Sequence, residues 1–362
     1  MLDLVLTTTI RHFIMMRAFS ERPFARPAGP RLPAQLASEE RGIEEMQKAT
    51  QRLFILLCVF VLLFAGRLES IAAAEIAQKL PWDFSGGMPL KNENFLGAGK
   101  YADDTIMVTI QVGRFDNGTA MGCEYWVATV RIAHPSQLRT TSASTFRSEM
   151  LMKGTALAKR VNAVLAINGD YWCFTHHGYI LRQGQLFVDD LRGDRDVLLV
   201  DDNGDFHIVR NPYSGQVQET IEGRKVMQAF FFGPVLVDHG KLVRDMALRE
   251  DMAAEERKQR MCIAQVGPLE YKCICCGPPA RGNSGMNLSE FARLVYEIGI
   301  NDAQNKSKRT GETVESTMTA YNLDGGNSTM LIFNGEKIND PKNQDTRDIA
   351  DIIYFASALG AK

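Results

Sequence analysis

Charge of one sign, long apolar runs and the common catalytic signatures are all scarce in this chain of 362 residues. The formal net charge is −2 and no extended basic block occurs, so the electrostatic footprint that a nucleic-acid partner demands is missing. No H-E-x-x-H or H-x-x-E-H run is present among the six histidines, which removes the helical two-histidine metal site of metalloproteases. No G-x-S-x-G elbow surrounds a serine, and no histidine is placed by sequence to activate one. No internal repeat is visible, which argues against solenoids and propellers. What remains is a hydrophobic content of 45%, enough for a sizeable core.

The one continuous apolar run, Leu53 to Gly66, is too short to span a bilayer comfortably. Lys48 and Arg52 precede it and Ala72, Ala73 and Ala74 follow it, which is the order of a signal peptide beginning at Met46 and ending at Ala74. An uncleaved anchor, with Arg67 as its stop, is the alternative and the one route to a membrane. Met1 to Glu45 is Arg- and Pro-rich and reads as an extension or a mis-assigned start. Export to an oxidising compartment would suit the cysteines, because Cys58 lies in the apolar run and an even number remains: Cys123, Cys173, Cys262, Cys273, Cys275 and Cys276. Disulfides are expected. The KCICC cluster lacks the paired C-x-x-C knuckles of structural zinc.

Glu75 to Lys100 is an irregular lead-in rich in Gly, Pro and Asn, and Tyr101 to Lys362 reads as one domain. Strands are expected at Thr105–Val112, Tyr125–Ala133, Ala163–Ile167, Tyr179–Leu181, Val197–Val200, Phe206–Val209 and Ala229–Val237. Turns at Gln183-Gly184, Asn203-Gly204 and His239-Gly240 join several of them. A helical period runs through Thr145–Arg160. The best helix is Leu288–Ile298, with Asn287 as N-cap, Glu290 completing a capping box and Gly299 as its stop. Asp245–Lys258 and Asn301–Thr317 read as surface helices or insertions. The expected class is α+β: a curved, mixed, largely antiparallel sheet packed by helices, forming a single catalytic domain.

Two strand ends carry polar turns. Val164 to Trp172 ends in Asn168, Gly169 and Asp170, and Tyr321 to Leu331 holds Asn322, Asp324, Gly325, Gly326, Asn327, Ser328 and Thr329. Paired glycines let backbone N–H groups approach a ligand, and the acid, amide and hydroxyls supply a base, donors and acceptors. The shared grammar points to one composite site. Asp324 can equally close an Asx turn, and Asn168 and Asn322 can cap their strand ends.

The order AINGDYW, HHGYILRQGQL, RMCIAQVG, GMNLSEFARLVYEIG, NLDGGNSTM and NDPKNQDTR resembles the phosphodiester glycosidase family over Asn162 to Phe355, with the NLDGG block the most specific. The chain departs from the family pattern at Asn327, where relatives more often carry glycine, and around Cys273. The resemblance implies a secreted hydrolase of carbohydrate metabolism that cleaves the C1–O bond of a sugar 1-phosphodiester, such as one of N-acetylglucosamine. Free sugar and a phosphomonoester would be released. A non-catalytic module binding surface glycans and a metal-dependent phosphodiesterase cutting P–O are the alternatives.

Such a substrate has a phosphate monoester as leaving group, so demand for a strong general acid is light and demand for a cationic clamp is high. Arg260 and Arg347 are the clamp candidates, since a guanidinium fork matches two phosphate oxygens, and Arg182 is a third. Asp324 is the expected catalytic carboxylate, Asp170 its partner, and His177, beside His176 and Gly178, a proton donor or phosphate contact. Tyr171 and Trp172 can stack on a sugar or fill the core. No cofactor is required. A divalent cation held by Asp324 with Asn168 in a supporting role is compatible with the scheme.

Overall fold

The computed structural model describes residues 78–361 apart from 171, 176, 245–252, 280–281 and 341–346. The N-terminal extension, the signal segment, the first residues of the lead-in, Tyr171, His176 and most of the Asp245–Lys258 stretch lie outside the described residues. So does the middle of the NDPKNQDTR block.

Three substantial sheets build the molecule. The largest has eight strands, running Lys100–Ala102, Ile106–Phe115, Cys123–Ile132, Glu270–Cys276, Met261–Gly267, Thr319–Leu323, Val235–Asp238 and Lys241–Leu242 from edge to edge. A five-stranded sheet is ordered Glu336–Lys337, Leu331–Phe333, Ala163–Asn168, Asp351–Ala356 and Leu138–Ser142. A six-stranded sheet centres on Arg224–Phe231, between Val197–Asp201 and Gly178–Arg182. The pairings are antiparallel throughout these sheets. The largely antiparallel pairing is as expected, whereas the single sheet packed by helices is corrected to several sheets with few helices among the described residues. Tight turns are the reason: Gln183-Gly184 and Asn334-Gly335 have positive φ at both residues, and such turns return the chain beside itself.

One core fills the space between the sheets. Val130, Met261 and Tyr321 of the eight-stranded sheet meet Phe230 of the six-stranded sheet and Leu165, Ile167 and Ile353 of the five-stranded sheet. Ala163–Asn168 is buried at every residue because its second face is covered as well, by Leu157 and Ala158 of helix α1, Gly154–Arg160. That double burial explains why the strand reads as a continuous apolar run instead of an alternation. A short helix α2, Trp172–Thr175, follows. The long helix α3, Leu288–Thr310, covers the outer face of the eight-stranded sheet through Leu288, Phe291, Leu294 and Val295.

The capping box at the start of α3 is present: Asn287 accepts from the Glu290 N–H at 2.9 Å and Glu290 accepts from the Asn287 N–H at 3.1 Å. Gly299 is not its stop. It lies inside the helix, where a side chain would press on Ser316 and Met318, so its smallness serves close packing. The terminator is Gly311, left-handed at φ 75. The helical period over Thr145–Arg160 shortens to α1, and the strand expected over Ala229–Val237 is interrupted at the Gly233-Pro234 bond into Arg224–Phe231 and Val235–Asp238.

The expected disulfides are also corrected. Cys123, Cys173, Cys262, Cys273, Cys275 and Cys276 are free and buried. Cys273 and Cys275 enter the core between the sheets, whereas Cys262 and Cys276 face α3. Alternation along the strand divides the KCICC cluster between two cores, in which thiols act as small apolar fillers.

The lead-in is held by a fully buried arginine. Arg139 donates to the carbonyls of Pro81 at 2.8 Å, Asp83 at 2.8 Å and Ser85 at 2.9 Å. No helix among the described residues is long and apolar enough to cross a membrane.

Candidate active site

The two polar turns meet, as the composite-site expectation required. Asn168 links them: its Nδ2 donates to the Asp324 carbonyl at 2.7 Å, and its Oδ1 accepts the Met330 N–H at 3.2 Å. The side chain is a bracket between the two turns. Gly169 lies beside it and donates its N–H to the Asp351 carbonyl at 3.1 Å. Any Cβ at Gly169 would collide with the Asp351 carboxylate, so this position needs glycine for close approach.

The turn after Thr319–Leu323 is folded on itself. The Gly325 N–H donates to Asp324 Oδ1 at 2.8 Å and the Gly326 N–H donates to the Gln259 carbonyl at 2.9 Å. Those are the N–H groups expected to face a ligand, and both are used inside the protein instead. Glycine is needed here for two other reasons: a Cβ on Gly325 would lie 2.8 Å from the Gln259 carbonyl oxygen, and Gly326 has φ 57. Asn322 fastens its strand, donating from Nδ2 to the Gly233 carbonyl at 2.7 Å. Ser328 and Thr329 are buried, and Asn327 is exposed.

Beside this turn opens a cleft of about 540 Å³. Asp324, Gly325, Gly326 and Asn327 line one part of it, and Phe232 and four cations, Arg195, Lys258, Arg260 and Arg347, line the rest. Arg347 is exposed, touches the Ser328 hydroxyl at 3.5 Å and sits 5.4 Å from the Phe174 ring centre. Arg260 is buried and holds the carbonyls of Ala253 and Glu256, each at 2.8 Å, and of Met286 at 3.3 Å. Arg195 packs on the Phe231 and Phe232 rings at 5.8 and 5.7 Å and lies 3.7 Å from Asp194. Lys258 pairs with Glu256 at 2.7 Å. Arg195, Lys258 and Phe232 are additions to the sequence-based set. They lie on loops and strand ends with no motif around them, and folding alone brings them to the turn.

Burial pushes the Asp324 carboxyl up to about 6, against the Ser328 hydroxyl, the Gly325 N–H and the Arg347 charge, which pull it down; Asp170 adds to the rise. A carboxyl poised there changes protonation close to neutrality, which suits proton transfer.

Asp170 lies behind Asp324, with both its oxygens engaged. Oδ1 accepts from Arg182 Nη2 at 2.9 Å and Oδ2 from the Phe231 N–H at 2.8 Å. Arg182 Nη2 also reaches Asp351 Oδ2 at 3.3 Å, and all three side chains are buried. Arg182 is thus an internal tie and lies outside the cleft lining. Asp351 was missed by sequence reading, although an acid leading the apolar strand Asp351–Ala356 is the signal that could have found it. His177 sits one layer back: Nδ1 contacts the Thr175 carbonyl at 2.8 Å and Nε2 contacts Asp194 at 3.0 Å. It steadies the loop that carries Arg195. Trp172 is core, packed near Phe146. Among the described residues no group of three His, Cys, Asp or Glu side chains is arranged to hold a metal ion.

A sheet-rich fold whose two strand-end turns enclose one carboxylate in a cationic cleft defines a class, and the sequence model for phosphodiester glycosidases matches residues 161–356. That is more than half of the chain, and the chain belongs to the phosphodiester glycosidase family. Comparison with curated proteins finds no match. Among solved structures, the zebrafish N-acetylglucosamine-1-phosphodiester alpha-N-acetylglucosaminidase catalytic domain, auto-inhibited by its pro-peptide, is similar with a TM-score of 0.54 at 13% identity, covering 77% of this chain and 98% of that one. At this identity the likeness concerns the fold. A hypothetical protein from Synechocystis is similar at a TM-score of 0.45 and 15% identity, covering 69% of this chain and 62% of its own.

Proposed function

We propose that this chain hydrolyses the C1–O bond of a sugar 1-phosphodiester, releasing free sugar and a phosphate monoester, and that N-acetylglucosamine is the sugar. The observation that carries the reading is a single poised carboxylate, Asp324, in a cleft lined by four cations. Water attacks C1 while ionised Asp324 takes its proton, and the bonding pair of C1–O leaves with the phosphate. Arg347 at the mouth receives the departing phosphate as a fork, with Arg195, Lys258 and Arg260 supplying positive potential around it. The phosphate leaves without a strong general acid, which fits a cleft holding one carboxylate among many cations. No step calls for a metal ion. The reading includes export directed by Met46–Ala74, with the zebrafish enzyme's activity carried over as supporting analogy.

The test is turnover by the full chain of sugar-1-phosphodiesters and aryl glycosides in parallel, with and without chelator. Diester hydrolysis that survives the chelator and exceeds aryl glycoside hydrolysis is expected. Binding of the diester without turnover, or turnover only with added metal, overturns the reading.

A further inference from the structure

Beneath the cleft, two carboxylates share one cation. Arg182 Nη2 meets Asp170 Oδ1 at 2.9 Å and Asp351 Oδ2 at 3.3 Å, and the three side chains are at most 1% exposed. Of the rest of the guanidinium, Nη1 donates to the Ala229 and Leu181 carbonyls, Nε is buried without a hydrogen-bond partner, and the Phe230 and Phe146 rings lie 4.7 and 5.4 Å from its centre. Further groups facing the cluster are Asp324 on its turn, Cys173 on α2 and Tyr321 on its strand, and the cations beyond them, Arg347 beside Asp324 and Arg195 beside Tyr321, lie at the cleft. With both acids ionised the cluster would hold a net charge of about −1 in a dry interior, where an unbalanced ion costs several kcal/mol. One proton removes that cost.

We propose that the buried cluster of Asp170, Arg182 and Asp351 holds one proton, and that this neutral unit positions the Asp324 turn. Each acid ties a different strand end to Arg182: Asp170 follows Ala163–Asn168, and Asp351 opens the neighbouring strand and lies against Gly169. Asn168, between them in space, holds the Asp324 carbonyl. Burial and the neighbouring Asp170 charge keep the Asp351 carboxyl well above the usual carboxylate range, as a retained proton requires. Burial, with Asp351, Asp170 and Asp324 adding to it, likewise pushes the Cys173 thiol up to about 12, so it stays neutral and does not compete for the proton.

The positioning role rests on Asp324 being the reacting carboxylate, but the retained proton does not, and a spectroscopic test separates them. The full chain carrying isotope-labelled aspartate is examined by infrared spectroscopy at about pH 8, where ordinary carboxyl groups are ionised. The wild type should show the carbonyl stretch of one protonated aspartate. Asp170→Asn and Asp351→Asn should each abolish it, because the acid that remains pairs with Arg182 as a carboxylate. No such band in the wild type, or a band surviving in either variant, overturns the proposal. In the same two variants Arg182 stays balanced, so the pH midpoint of diester turnover should hold. In the double variant Arg182 is unbalanced beneath Asp324, and the midpoint should fall by about a unit or more. An unchanged midpoint in the double variant overturns the positioning role, whereas a wild type without turnover removes the role of Asp324 and leaves the infrared result to decide the proton.

Discussion

Asp324 combines a buried setting with partners that favour its charge, and its pH behaviour follows from that contest. Its folded value of about 6 lies above the ordinary 3.8. Between those two values the native state keeps a proton that the unfolded chain has released, so the contribution of Asp324 to stability falls as pH rises through that window and is constant above it. Urea unfolding across the window should show a steeper fall in the wild type than in Asp324→Asn, in which only the slope due to the buried Asp351 remains. Turnover needs the ionised form, so kcat/KM should rise with pH to a plateau, with a midpoint of about 6. Asp324→Asn should abolish turnover while diester affinity, measured by calorimetry, is largely kept. The two clamp candidates now separate. Arg347→Lys should slow diester hydrolysis about tenfold or more with little change in melting temperature, whereas Arg260→Lys should also destabilise the fold by about 1–3 kcal/mol, because a lysine cannot hold three carbonyls at once. Asp324 and Asn168 were legible because they sit in polar turns behind apolar strands, and Arg347 because its block resembles the family and a guanidinium suits a phosphate. Arg195, Lys258 and Asp351 were not, because what makes them relevant is proximity across the fold.

At the scale of elements, period and capping carried the reading where one surface decides the pattern. The Asn287–Glu290 capping box was legible in full, and Asn287→Ala should lower stability by about 1 kcal/mol in denaturant titration while leaving turnover unchanged. The length of α3 was not legible, since a glycine that ends a helix and one that lets a neighbour approach look alike in sequence. The NLDGG turn teaches a related lesson. Its glycines were legible as necessary, but they serve the close Gln259 carbonyl and a left-handed φ, and their N–H groups bond Asp324 and Gln259. Gly325→Ala should therefore displace the turn and cut turnover, and thermal unfolding should register the strain. Gly326→Asn, which tolerates positive φ at a position with open space around it, should stay folded with little change in melting temperature. Ordinary kinetics and an unchanged melting temperature in Gly325→Ala would contradict this account of the turn.

For the whole molecule, alternation and turns announced antiparallel strands, but nothing local showed how they divide among sheets. That division is set by which faces are covered. It also places the cysteines, whose even number suggested pairing: Cys273 and Cys275 fall in one core and Cys123, Cys262 and Cys276 in another, all as free thiols. Thiol labelling of denatured, unreduced protein should find Cys123, Cys173, Cys262, Cys273, Cys275 and Cys276 all reactive, and reductant should not change the melting temperature. Protected thiols would restore the disulfide reading. The central claim concerns the whole cleft, one carboxylate directing water to carbon while cations hold the phosphate. Its most direct measurement is hydrolysis of a sugar-1-phosphodiester in water labelled with heavy oxygen, followed by mass spectrometry of both products. The account predicts label in the sugar and none in the phosphate monoester; label in the phosphate would place the cut at P–O and contradict it.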